Sequence, residues 1–258
     1  MSEIDRFEYP VERAELNLFA CLFSGQAFGW DALPDGSFEG FFVDKGETHR
    51  ARLRRSGDRI VVETDAGEDW FQRYFNLHPR LQDIIESFPG DPDLALAVRR
   101  FRGLRVLRQD PWEALVSFMV SQNNNISRIR LILRRALVAF GRFPTPEDLV
   151  DERGLEGLGL GYRAGYLSCL GRAVLEGRFD PYRLQQLDDE SALRELLELK
   201  GVGPKVAACA LLYGYGRNRA FPVDVWIARQ AKPGLDYGPY AGWGQLYLYA
   251  LARGLEPG

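Results

Sequence analysis

LKGVGPKVAACALLYGYGRNRAFPVDVWIAR, residues Leu199–Arg229, decides how this chain reads. Gly201-Val202-Gly203 interrupts two helical patterns, Leu193–Leu199 before it and Val206–Leu212 after it. Glycine tolerates backbone angles that other residues resist, so the segment predicts a tight helix–hairpin–helix over about residues 193–214. Pro204 suits the first helical position, where an N–H would have no partner. Lys205 then falls in the first turn of the second helix. Exposed backbone N–H groups and the positive end of the helix dipole disfavour a protonated amine there, which suits the lysine to act as a nucleophile. Cys209 is four residues further on and shares its helix face, so the pair can meet one ligand. Asp224 sits between Pro222-Val223 and the helical run Val225–Arg229, a position suited to an N-cap.

Taken singly, each feature has a bland meaning. The hairpin is then a non-specific DNA-binding device, Lys205 a phosphate contact or a solvated side chain, Asp224 a cap, and Cys209 a small buried apolar residue. Together they carry more. Hairpin, lysine, cysteine four later and Pro-Val-Asp at this spacing resemble the helix–hairpin–helix glycosylases, and within them the 8-oxoguanine DNA glycosylase/lyases. The resemblance implies that Lys205 and Asp224 form the catalytic pair, that Gly201 and Gly203 belong to a phosphate-binding hairpin, and that Cys209 walls a pocket for the damaged base.

Other blocks carry the same resemblance in family order. Ser24-Gly25-Gln26-Ala27-Phe28 is similar to a family segment whose glycine carbonyl accepts the N7 hydrogen that 8-oxoguanine has and guanine lacks, which assigns that role to Gly25. As residues alone, the segment reads equally as a packed turn. Asn123-Asn124-Asn125-Ile126-Ser127-Arg128 joins two helices. Its asparagines are caps or base readers on sequence alone, and the resemblance makes Asn123 and Arg128 face the estranged cytosine. Leu158-Gly159-Leu160-Gly161-Tyr162-Arg163-Ala164 implies a wedge, with Tyr162 entering the stack and Arg163, at the loop tip, holding the estranged base. In Gly238-Pro239-Tyr240-Ala241-Gly242-Trp243-Gly244-Gln245, the family's amide is Gln245, and Tyr249 shares its face to stack on the base. Two positions depart from the family: Tyr249, where phenylalanine is common, and Trp226, where eukaryotic members carry a histidine.

Composition sets outer bounds. The 258 residues are 46% hydrophobic and 27% charged, enough for one large or two modest cores. We expect an α+β fold: an antiparallel β-domain over 1–77, with Glu15–Leu18, Phe38–Val43 and Arg59–Glu63 among its strands, then a mostly α-helical helix–hairpin–helix domain over 78–258. Cys21, Cys169 and Cys209 are too scattered for a disulfide framework or a Cys-x-x-Cys metal site. No metal and no cofactor are expected. Without a leader or an apolar span, the chain reads as a cytoplasmic monomer associated with the nucleoid through DNA, without a membrane partner. The net charge of −3 argues mildly against nucleic acid, but between Val98 and Arg142 ten arginines face two acids, which predicts one basic face. The expected partner is double-stranded DNA containing 8-oxoguanine. Alkyl-base glycosylases, which use water as nucleophile, and non-catalytic hairpin DNA-binding proteins stay open as alternatives.

Overall fold

The computed structural model describes residues 4–232 and 234–256. Five strands, β1 (Asp5–Pro10), β2 (Trp30–Ala32), β3 (Phe38–Asp44), β4 (Glu47–Ser56) and β5 (Arg59–Thr64), form one antiparallel sheet in the order β1-β5-β4-β3-β2. Alternation along β4 sends Ala51 and Leu53 inward and leaves Arg50, Arg52 and Arg54 outside, as the pleat requires. Phe38 pairs with Leu53 and Leu53 with Val62, which fixes the register that buries one face.

Helices cover that face and continue to the end of the chain: α1 (Leu18–Phe23), α2 (Glu68–Tyr74), α3 (Leu81–Glu86), α4 (Pro92–Arg100), α5 (Pro111–Val120), α6 (Ile126–Phe140), α7 (Pro146–Val150), α8 (Glu152–Leu155), α9 (Arg163–Leu175), α10 (Asp189–Glu198), α11 (Pro204–Cys209), α12 (Ile227–Gln230) and α13 (Ala241–Ala252). A π-helical turn, Ala210–Gly214, extends α11. The expected strand at Glu15–Leu18 is instead the entry to α1. Asn17 accepts a hydrogen bond from Ala20 N at 3.0 Å, and this N-cap overrides the short alternation of apolar residues. With α1 and α2, the first 77 residues are mixed rather than purely β.

The sheet packs on α2, and one buried core continues across residue 77. Phe42 stacks on Trp70 at 4.0 Å, and Trp30 donates to Tyr74 at 2.9 Å. The sheet is tied to α5 by Val43 N, which donates to Glu113 Oε2 at 2.8 Å, and by Gly46 N, which donates to Asp110 Oδ2 at 3.2 Å. Gln26 is fully buried and bridges α1 to the segment before α5, donating to the carbonyls of Cys21 and Arg105 and accepting from Leu107 N. No helix among the described residues is long and apolar enough to cross a membrane.

The basic run between Val98 and Arg142 does not form the single face its composition suggests. Arg105 is fully buried and donates to the carbonyls of Asn76, Glu15 and Pro79, holding the chain before α5 in place. Arg130 and Arg134 both pair with Asp31, and Arg142 with Asp148. Consecutive charges in a sequence are separated by the helix turn and by the acids that packing brings beside them.

Candidate active site

The hairpin forms where the glycines require it. Gly201 has φ +87°, and a Cβ there would lie 2.3 Å from the Tyr166 ring, so only glycine fits. Val202 is buried beneath the turn, and Gly203 precedes Pro204 at the start of α11. This delivers Lys205 to a cavity of about 420 Å³ between the end of α5, the start of α11, the Asp224 loop and the end of α13.

Lys205 Nζ donates to Ser121 Oγ at 3.0 Å and stands 5.1 Å from the centre of the Phe118 ring. Ser121 in turn donates to the Phe118 carbonyl at 2.7 Å, which orients the oxygen the amine meets. Asp224 lines the same cavity. Its Oδ1 accepts from Trp226 N at 2.9 Å and Ile227 N at 3.0 Å, so it caps the turn leading into α12, as its sequence context predicts. Both bonds fall on one oxygen, and Oδ2 makes no hydrogen bond among the described residues. The carboxylate is thus held rigidly by its cap with an acceptor to spare.

Gly25 and Tyr249 also line the cavity. Gly25 has φ +88°, and a Cβ there would sit 3.1 Å from both Ile126 Cδ1 and Tyr249 Cε1, closing the space beside the ring. Cys209 and Gln245 lie behind this wall, only 2% and 4% exposed. Burial raises the Cys209 thiol pKa, against the lowering effect of Lys205. The Gln245 amide donates through Nε2 to Pro222 O at 3.0 Å, while its Oε1 is buried without a partner. An amide oxygen left in this way carries an unmet hydrogen-bonding capacity beside the Pro222–Asp224 loop.

Asn123, Arg128, Tyr162 and Arg163 gather at the rim. Asn123 adopts a left-handed backbone, φ +46°, and donates to Tyr162 Oη at 3.1 Å. Tyr162 is 51% exposed and lies against the Arg163 guanidinium at 4.6 Å. Arg128 is exposed and reaches Gly159 O at 3.3 Å. Arg163 is not at the exposed loop tip expected of it. It is 6% exposed and donates to the carbonyls of Gln122, Asn123 and Leu160. The reason is that α9 begins at this residue while α5 ends in a turn with outward carbonyls, which a guanidinium fork satisfies. Ser121, Phe118 and Arg253 are cavity residues that the sequence did not single out. Ser121 stood next to the asparagine run and could have been found by asking what ends α5; Arg253 had no local signal.

An antiparallel sheet followed by helices, a glycine hairpin, and a lysine and an aspartate lining one cavity define a helix–hairpin–helix glycosylase fold. Comparison narrows this. The family described as 8-oxoguanine DNA glycosylase, N-terminal domain, matches residues 8–115. The N-glycosylase/DNA lyase of Saccharomyces cerevisiae is 31% identical over 86% of this chain and 69% of the yeast protein. The structure of MBOgg1 in complex with a low-affinity DNA ligand superposes with a TM-score of 0.88, at 30% identity over 98% of both chains. The 8-oxoguanine glycosylase/lyase of Clostridium acetobutylicum, bound to double-stranded DNA with cytosine opposite 8-oxoguanine, gives a TM-score of 0.85 at 26% identity, covering 98% of this chain and 99% of that one. The chain belongs to the 8-oxoguanine DNA glycosylase/lyase family.

Proposed function

We propose that this protein excises 8-oxoguanine from double-stranded DNA and then nicks the strand through a lysine Schiff base, as a step of base excision repair. The observation that carries the reading is the convergence of Lys205, Asp224, Gly25 and Tyr249 on one cavity. The damaged nucleotide is turned out of the stack into this cavity at a cost of a few kcal/mol, which a lesion reduces. Gly25 offers its carbonyl to the N7 hydrogen, and Tyr249 stacks on the base. Cys209 and Gln245 complete the pocket from behind, the unpaired Gln245 Oε1 being the acceptor in reserve.

The Lys205 amine attacks C1′ as the C1′–N9 bond breaks. The bonding pair leaves with the base, which takes up the proton that the amine gives up. Asp224 stabilises the positive charge that develops on the sugar. Ring opening yields the Schiff base, and loss of a C2′ proton expels the 3′ phosphate by β-elimination. At the rim, Asn123 and Arg128 face the opposite strand, Tyr162 wedges into the stack, Arg163 supports the backbone of both rim segments, and Gly201 and Gly203 present hairpin N–H groups to a phosphate. Cytosine is the preferred opposite base.

Borohydride reduction with an 8-oxoguanine:cytosine duplex tests this. A covalent protein–DNA adduct that disappears in Lys205→Gln is expected. Base release without an adduct points to a water-using glycosylase, and no base release to a DNA-binding protein alone. Equal excision opposite all four bases contradicts the cytosine assignment.

A further inference from the structure

The cavity wall holds a third charged group that none of these steps uses. Arg253 follows α13 directly, and its guanidinium carbon lies 5.6 Å from the centre of the Trp226 ring and 5.9 Å from that of Tyr249. Trp226 belongs to the loop that carries Asp224, so the arginine spans the two walls of the cavity mouth. Unlike Arg130, Arg142 and Arg183, it forms no ion pair among the described residues.

Arg253 also bonds through its side chain to Tyr249, which with the Trp226 ring holds the guanidinium at the cavity mouth; a guanidinium has five N–H donors, and those beyond this bond are matched to an oxyanion. In an extruded nucleotide the base and the sugar are neutral before reaction, and only the backbone phosphates are anionic. Lys205 is already engaged at Ser121, deeper against Phe118. We propose that Arg253, held by Trp226 and Tyr249, binds a backbone phosphate of the extruded nucleotide and so anchors it at the cavity mouth. The inference rests on the cavity being an extruded-nucleotide site.

The test uses the full chain and a duplex carrying a tetrahydrofuran abasic site, which has the phosphates but no base. Affinity is followed by fluorescence anisotropy between about 50 and 200 mM salt. Losing one phosphate contact lowers the slope of log affinity against log salt by about 0.9, which at 0.1 M salt is about eightfold in Kd. Arg253→Gln shows this loss, Arg253→Lys restores the slope, and Arg253→Glu binds more weakly than Arg253→Gln. Arg253 is exposed, so all three should keep the wild-type circular dichroism spectrum. An unchanged slope in both Arg253→Gln and Arg253→Glu overturns the proposal. So does a loss seen only on the 8-oxoguanine duplex and not on the abasic one, because that marks a contact to the base. Excision of 8-oxoguanine by the wild-type protein is scored separately: a wild type that binds but does not excise defeats the glycosylase reading, whatever the slopes.

Discussion

Glu113 offers a sharp test of how the sheet is coupled to the helix that carries Ser121. Its carboxyl is 4% exposed, in the first turn of α5, and accepts Val43 N from β3. Burial, aided by the neighbouring Asp110 charge and opposed by the Val43 bond, raises its pKa from 4.5 to about 8. Asp110 is raised too, by burial, against the helix N–H groups, Gly46 N and Tyr182 that bond to it. The folded protein therefore holds a proton on Glu113 that the unfolded chain releases above its ordinary carboxylate range. Stability then falls as pH rises towards 8 and levels off beyond it, because the unfolded state binds fewer protons throughout that window. Each pH unit is worth about 1.4 kcal/mol, so the change from pH 5 to pH 8 is roughly 4 kcal/mol as an upper limit. Glu113→Gln keeps an acceptor for Val43 and cannot ionise. Urea unfolding followed by circular dichroism should show the variant close to wild type at pH 5 and more stable by a few kcal/mol at pH 8. A difference between the two proteins that stays constant from pH 5 to pH 8 refutes the reasoning. Comparing the pair cancels other titrations, including most of that of Asp110.

Substitutions at two further positions separate chemistry from architecture. Asp224→Asn retains the Oδ1 cap on Trp226 and Ile227 but loses the charge, so unfolding should shift little while single-turnover base release falls about 100-fold; Asp224→Ala should in addition lose about 1 kcal/mol, and full activity in Asp224→Asn removes the electrostatic role. Arg163→Ala removes the shared donor of the Gln122, Asn123 and Leu160 carbonyls, of which the Leu160 bond is buried and the other two part-buried, and should cost about 2 kcal/mol in urea; a loss below about 1 kcal/mol means those carbonyls find water instead.

Local rules in the sequence determined the hairpin, the Pro204 start of α11 and the Asp224 cap, because each depends on residues within a few positions of one another. The alternation of strands β3 and β5 and the helices that follow were legible for the same reason, whereas the alternation at Glu15–Leu18 misled because Asn17 caps a helix there. Motif resemblance named Gly25 together with Gln245 and Tyr249, which lie more than 200 residues further along the chain. What it could not determine is depth. Cys209 and Gln245 stand behind the cavity wall, Arg163 is buried among carbonyls, and the arginine-rich run divides between core, ion pairs and surface. Partners for Lys205 and Arg253 come from α5 and from the Asp224 loop, far away in sequence. Burial and charge pairing are set by what the rest of the fold places beside a side chain, and that is decided only when the sheet, the hairpin and the last helix pack together.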